Sequence, residues 1–107
     1  MLKVMNYLGT PGDTIKLTSS DTATALSASV ITNAGRAMQG MIITVDTNPI
    51  KIAFNGISPV QAATNVGHIL AKDSAPLIIQ GADLCSTMKY ISSTSGNVGY
   101  MYLTPLY

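Results

Sequence analysis

The 107-residue sequence contains no glutamate, no tryptophan, one cysteine and one histidine. The single cysteine, Cys85, excludes a disulfide within the chain and a cluster of thiolate metal ligands. The single histidine, His68, has only aspartates in turn-like sequences to accompany it, so a set of three or four metal ligands is lacking. We therefore predict no metal and no other cofactor.

Charged residues are also scarce, because they make up 10% of the chain whereas apolar residues make up 47%. This balance argues against intrinsic disorder, which requires much charge and few large apolar groups. The six cationic residues are spread along the chain, although binding to a nucleic-acid backbone requires several of them on one face. The sequence thus predicts no nucleic-acid partner, and its weakly charged surface indicates a protein covered by neighbouring subunits.

Long apolar runs are absent as well. No stretch approaches the roughly 18 continuous apolar residues of a membrane span. Residues 1–8 carry an early lysine without the long apolar core of a signal peptide. We expect no membrane partner and a soluble product made in the cytoplasm.

Short segments with the pattern of β-strands recur along the chain. Residues 14–18 alternate between apolar and polar, and residues 41–45 are apolar on both faces, as in a central strand. Residues 28–32 are rich in β-branched side chains, which favour a strand over a helix. Further strand-like segments are residues 50–54, 77–79, 88–92 and 98–104. We predict an all-β fold, a two-sheet antiparallel sandwich that is jelly-roll-like, with about eight strands in a single domain over residues 1–107.

Residues 57–66 interrupt this pattern. They do not alternate cleanly and they contain Pro59, so we predict a long surface loop, and long loops commonly bind something. A helix over residues 60–70 is the alternative, since Ala63, Val66 and Leu70 would share one helical face.

Few residues could carry catalysis. Cys85 and His68 could form a nucleophile and base, with Asp83 orienting the histidine. The competing interpretation is that Cys85, at the entry of a strand, is a small buried hydrophobic residue. Asp46 and Asp83 could act as general acids or bases, but aspartates beside turn residues more often form turns. We favour the structural interpretations, predict no catalytic residue and expect that the protein is not an enzyme.

Tyrosines gather near the C-terminus, where Tyr90, Tyr100, Tyr102 and Tyr107 lie in the last fifth of the chain. Exposed together, they would form a sugar-stacking face or a protein interface, because tyrosine combines a rigid apolar ring with a polar tip. Alternatively, two of them pack in the core. The sequence leaves these three arrangements open.

The second half of the chain also carries an ordered series of motifs. Ile50-Lys51-Ile52-Ala53-Phe54 is followed by Asn55-Gly56, a proline-containing loop, Gly67-His68-Ile69-Leu70, Leu77-Ile78-Ile79-Gln80-Gly81-Ala82-Asp83-Leu84, Met88-Lys89-Tyr90-Ile91 and Tyr100-Met101-Tyr102-Leu103-Thr104. Over residues 41–104 this series resembles the small β-sandwich virion proteins of tailed bacteriophages, and in particular their jelly-roll capsid decoration (cement) proteins. Gly67-His68 followed by two apolar residues is its most characteristic part, whereas Lys51 stands where an arginine is expected.

The resemblance implies a structural protein on the outer capsid surface of the virion. Its partners would be the major capsid protein and itself, as a homodimer or homotrimer. Residues 1–8 and 105–107 would be assembly arms, so that removing residues 105–107 weakens assembly without unfolding the domain. The interface hypothesis comprises Met1, Leu2, Val4, Tyr7, Tyr100, Tyr102, Leu106 and Tyr107. The alternative function is a carbohydrate-binding module of a phage tail or head fibre, with residues 57–66 and the tyrosines as its site.

Overall fold

Short strands dominate the computed structural model, which describes residues 9–61 and 66–107. The strands in these residues are β1 Ile15–Thr18, β2 Thr24–Ala25, β3 Thr32–Asn33, β4 Arg36–Ala37, β5 Gly40–Asp46, β6 Ile50–Ala53, β7 His68–Leu70, β8 Leu77–Gln80, β9 Lys89–Ser92 and β10 Tyr100–Leu106. The helices are α1 Ala28–Ile31 and α2 Ala82–Thr87.

Eight of the strands form two antiparallel sheets of four strands each. Sheet I has the order β1-β10-β5-β8, sheet II has the order β2-β9-β6-β7, and β3 pairs with β4 in a separate hairpin. When β3 and β4 are left out and the remaining eight strands are counted from one to eight along the chain, sheet I has the order 1-8-3-6 and sheet II has the order 2-7-4-5. This is the strand order of a jelly roll. The predicted all-β, two-sheet antiparallel sandwich is therefore confirmed.

Alternating side chains of the central strands fill the space between the sheets. The most deeply buried of them are no more than 1% exposed and come from β5, β6 and β10: Met41, Ile43, Ile50, Ile52, Met101 and Leu103. Ile42 and Thr44, the intervening residues of β5, are only half-buried. Because successive strand residues point to opposite faces, β5 has one inner and one outer face. The prediction that residues 41–45 are buried on both faces is wrong for the outer one.

Residues 28–32 form a helical turn instead of the predicted strand. The helix α1 begins after Ser27, whose carbonyl accepts the N–H of Ile31 at 3.1 Å. The chain then enters β3, which pairs with β4 across Ala34 and Gly35, both with positive φ. Positive φ at both central residues is the geometry of a type I′ hairpin. The β-branched side chains of residues 28–32 therefore did not decide the conformation of this segment.

The C-terminal residues are part of sheet I. Leu106 ends β10 with 0% exposure, and Tyr107 is 8% exposed. Tyr107 exchanges backbone hydrogen bonds with Thr10 at 2.8 and 2.9 Å, and its hydroxyl donates to the carbonyl of Val30 at 2.6 Å. The prediction that residues 105–107 form an assembly arm is therefore wrong, because this segment closes one end of the core. The other predicted arm, residues 1–8, lies outside the described residues.

Candidate functional site

The described part of the jelly roll is open along one edge, where β7 of sheet II faces β8 of sheet I. Between these two strands runs a groove of about 440 Å³. The residues that line it are Ile52, Phe54, His68, Leu70, Leu77, Ile78, Ile79, Gln80 and Leu84. We name it the β7/β8 groove. His68 is the only titratable residue in this lining, so the groove is suited to apolar surface rather than to a charged ligand.

Large apolar side chains reach solvent in the β7/β8 groove. Leu77 of β8 is opposite Ile43 in the ladder, and although Ile43 is 1% exposed, Leu77 is 38% exposed. Leu84 of α2 is 43% exposed, and Ile78, which is opposite the outer-face residue Ile42, is 50% exposed on the outer side of the same edge strand. In the described chain β7 and β8 each end their sheet, so each pairs with a strand on one side only. An apolar, unpaired sheet edge is a template for pairing with another chain.

A second cavity of about 410 Å³ adjoins the groove, and Phe54 and His68 line both. The two rings lie with their centroids 6.5 Å apart and their planes at 43°. Ile57, which is 53% exposed, contributes to the second cavity. The apolar surface at this edge therefore continues beyond β7 and β8 around the side of the Phe54 ring.

Cys85 has the surroundings of a structural residue. It lies within α2, not at the entry of a strand as the sequence suggested, and it is fully buried. Burial raises the pKa of its thiol from 9.0 to about 11, so the thiol stays protonated at neutral pH and is a poor nucleophile. His68 is exposed on β7, and the backbone carbonyl of Asp83 accepts the hydroxyl of Thr87 within α2. Nothing in this arrangement activates Cys85.

The carboxylates of Asp46 and Asp21 accept hydrogen bonds from backbone N–H groups in turns. Asp46 Oδ1 accepts the N–H of Thr47 at 2.7 Å, and Asp21 Oδ1 accepts the N–H of Gly96 at 3.0 Å. A hydrogen bond from the Gln61 amide, at 2.9 Å, lowers the pKa of Asp21. Within residues 9–61 and 66–107, no group of three His, Cys or Asp side chains is placed to hold a metal ion. The helices of the same residues are too short to cross a membrane.

The four C-terminal tyrosines are divided between the core and the surface. Tyr90 and Tyr107 are 5% and 8% exposed, and burial raises the pKa of Tyr90. Tyr100 and Tyr102 are half-buried on the outer face of sheet I. The Nζ of Lys16 lies 4.1 Å from the centroid of the Tyr100 ring, which is a cation–π distance. Of the three arrangements left open by the sequence, the structure has the one in which two tyrosines pack in the core.

Val60 and Gln61, in the segment that follows β6, lie over the outer face of sheet II. Val60 and Gln61 are not helical and β7 is a strand, so the described residues of the range 60–70 form no helix. Residues 62–65 lie outside the description. The Gln61 amide also donates to the carbonyl of Ser92 at 3.1 Å. The first part of this loop is therefore attached to sheet II, as a covering of its outer face.

Sequence reasoning missed the burial of Lys51. It is 2% exposed on the outer face of β6, where its Nζ donates to the carbonyl of Val60 at 2.7 Å. Gly67, with a φ of +115°, packs on its aliphatic stem, since a Cβ at Gly67 would lie 2.6 Å from Lys51 Cγ. Strand alternation correctly places Lys51 on the outer face, but it gives no signal that a loop covers that face. Lys51 therefore fixes the loop instead of presenting a charge at the surface.

The predicted interface residues fall into three groups. Met1, Leu2, Val4 and Tyr7 lie outside the described residues, Tyr100 and Tyr102 face outwards from sheet I, and Leu106 and Tyr107 are buried. The assignment of the last two to a surface is wrong, because they pack inside their own subunit. Nothing in the sequence pattern marked the β7/β8 groove, whose lining includes the exposed Leu77 and Leu84.

Comparisons with known proteins place the chain in no family. No protein-family model matches it, and no curated protein matches it. A solved structure from work described as "Bacillus endospore appendages form a novel family of disulfide-linked pili" aligns with 94% of this chain and 94% of its own, at 18% identity and a TM-score of 0.47. At this level the likeness shows neither a shared family nor a shared function.

Proposed function

We propose that the chain is a structural subunit that is held by other protein subunits along the β7/β8 edge. The observation that carries this proposal is the exposure of Leu77 and Ile78 on the edge strand β8, and of Leu84 on the adjoining helix α2. Sheet edges are commonly protected by charged residues or by prolines within the strand. The sequence of β8 is Leu77-Ile78-Ile79-Gln80, which has neither. Burial of this edge against a partner removes apolar surface from water, which stabilises the assembly.

The particular form that we propose is a capsid decoration (cement) protein of a tailed bacteriophage. It would bind neighbouring major capsid subunits at the outer surface of the virion and would associate with itself. The support comes from the resemblance over residues 41–104 and from the low proportion of charged residues, 10%. A contact of this kind buries about 800 Å² per partner, and repetition over a symmetric shell multiplies modest contacts through effective concentration.

The experiment compares two substitutions of matched exposure. Leu77→Arg places a charge in the β7/β8 groove, whereas Val98→Arg places one at a residue that is 40% exposed and lies outside the groove lining. Size-exclusion chromatography with light scattering measures self-association, and cosedimentation with undecorated phage shells measures capsid binding. We expect Leu77→Arg to lose association and Val98→Arg to retain it, with both variants folded by circular dichroism.

Two outcomes would contradict the proposal. A wild-type chain that is monomeric at all concentrations and does not sediment with shells has no assembly function of this kind. Equal association of Leu77→Arg, Val98→Arg and the wild type would remove the edge from the interface.

A second candidate function is carbohydrate binding, and the outward orientation of Tyr100 and Tyr102 favours it. Aromatic rings on one sheet face can stack on sugars, but the cation of Lys16 already lies over the Tyr100 ring. A glycan array distinguishes the candidates, since saturable binding that is lost on Tyr102→Ala would support a carbohydrate-binding module. Binding by both the variant and the wild type, or by neither, would exclude a role for these rings.

A further inference from the structure

The β7/β8 groove has the properties of a site for an extended apolar peptide. It combines one wall of core-type side chains with the unpaired edge of β8, whose four residues present backbone groups on the side away from β5. Peptides that add a strand to such an edge gain affinity from main-chain hydrogen bonds and specificity from alternate side chains that enter the groove. The lining has no lysine, arginine or aspartate, so the occupant must present an uncharged apolar face.

The chain itself contains one segment of this character outside the described residues. Residues 1–8, Met-Leu-Lys-Val-Met-Asn-Tyr-Leu, hold six apolar residues and a single charge, Lys3. In an extended strand Leu2, Val4 and Leu8 share one face, whereas Lys3 lies on the opposite face. Such a strand could turn its aliphatic residues to the groove and keep the lysine in water.

The position of Gly9 bears on which copy supplies this segment. The residues after Gly9 run along β10 on the side of β1, because Pro11 forms a β-bridge with Leu106 and Thr10 hydrogen-bonds to Tyr107. The edge of β8 is three strand spacings away across β10 and β5, or about 14 Å at roughly 4.8 Å per spacing. Eight extended residues reach about 27 Å, so crossing the sheet uses about half of them. A neighbouring subunit can instead present all eight to the groove.

We propose that residues 1–8 of a second copy of this chain occupy the β7/β8 groove as an added strand along β8. This inference rests on the proposed function as an assembly subunit, and it names the segment and the surface that join one copy to the next. The pairing is between different surfaces of the two copies, so it generates a ring where the rotation closes and a longer array where it does not.

Engineered disulfides test which chain fills the groove. Val4→Cys and Leu77→Cys are made in two separate chains of different mass, each in a Cys85→Ala background, and the chains are mixed under mild oxidation. We expect a disulfide between the two chains, and none when Val98→Cys replaces Leu77→Cys as the control. A chain that carries both Val4→Cys and Leu77→Cys and forms the disulfide only within a monomer would overturn the proposal, because the segment then fills the groove of its own copy.

Deletion and add-back provide a second measurement. A chain without residues 2–8 is expected to have the mass of a monomer by light scattering, and a synthetic peptide of residues 1–8 is expected to bind it. Leu77→Arg in the deleted chain should weaken that binding at least about tenfold, while Val98→Arg leaves it unchanged. Oligomers that persist in the deleted chain would overturn the inference while leaving the proposed assembly function standing. A full-length chain that is monomeric and still binds phage shells would also overturn this inference and leave the proposed assembly function standing.

Discussion

The closure of the core by the C-terminus leads to a prediction about truncation. Removing residues 105–107 deletes the side chains of Leu106 and Tyr107, which are 0% and 8% exposed. Outside the β10–β5 ladder, it also deletes four backbone hydrogen bonds, to Thr10 in both directions, to Gly12 and to Gln39. Buried leucine and aromatic side chains are each worth about 2–5 kcal/mol and each hydrogen bond about 1 kcal/mol, which together is on the order of 10 kcal/mol. Small domains have a total stability of about 5–15 kcal/mol.

We therefore expect the truncated chain to be unfolded at room temperature, and Leu106→Ala to lower the free energy of unfolding by about 2–5 kcal/mol. Urea titration followed by far-UV circular dichroism measures both, since the chain has no tryptophan to report by fluorescence. Val98→Ala, at a residue that is 40% exposed, serves as the control and should change the stability much less. A truncated chain with the urea midpoint of the full-length protein would refute the assignment of residues 105–107 to the core.

Three further predictions concern buried polar groups. Because the pKa of the Cys85 thiol is raised from 9.0 to about 11, its contribution to stability is present below pH 9 and is lost as the pH rises towards 11. Urea titrations between pH 9 and pH 11 should show this loss of stability, and Cys85→Ala should lack this part of the pH dependence. Ser19→Ala removes the 2.7 Å hydrogen bond to the buried Ser92 hydroxyl and should cost about 1–3 kcal/mol by the same titration, whereas no change would mean that this bond is replaced. Lys51→Ala removes both a buried aliphatic stem and the donor to the Val60 carbonyl, so we expect faster proteolysis within the loop that follows β6. An unchanged cleavage rate would contradict the role of Lys51 in fixing this loop.

The general architecture could be predicted from the sequence because period-two alternation survives in the long strands. In β10 the tyrosines alternate with Met101 and Leu103, and the latter two are fully buried as the pattern requires. The short elements were missed for a physical reason. The four-residue helix α1 and the six-residue helix α2 are too short for a helical period to appear, so tertiary contacts decide their conformation over local preference.

The candidate site could not be predicted because it depends on which strands lie at an edge. The run from Leu77 to Ile79 is apolar throughout, which is typical of a strand buried on both sides. Only the topology places β8 at the end of sheet I and leaves Leu77 facing a groove. The burial of Lys51 was hidden for a similar reason, since the covering loop is brought there by the fold and not by a neighbouring sequence signal.

The location of β10 between β1 and β5 has a consequence for biosynthesis. In the described sheet, β1 reaches β5 only through β10, and β10 is the last strand to be synthesised. A nascent chain on the ribosome can therefore not complete sheet I until β10 has left the exit tunnel. A product that terminates before β10 would keep open strand edges that expose it to aggregation and to cellular proteases.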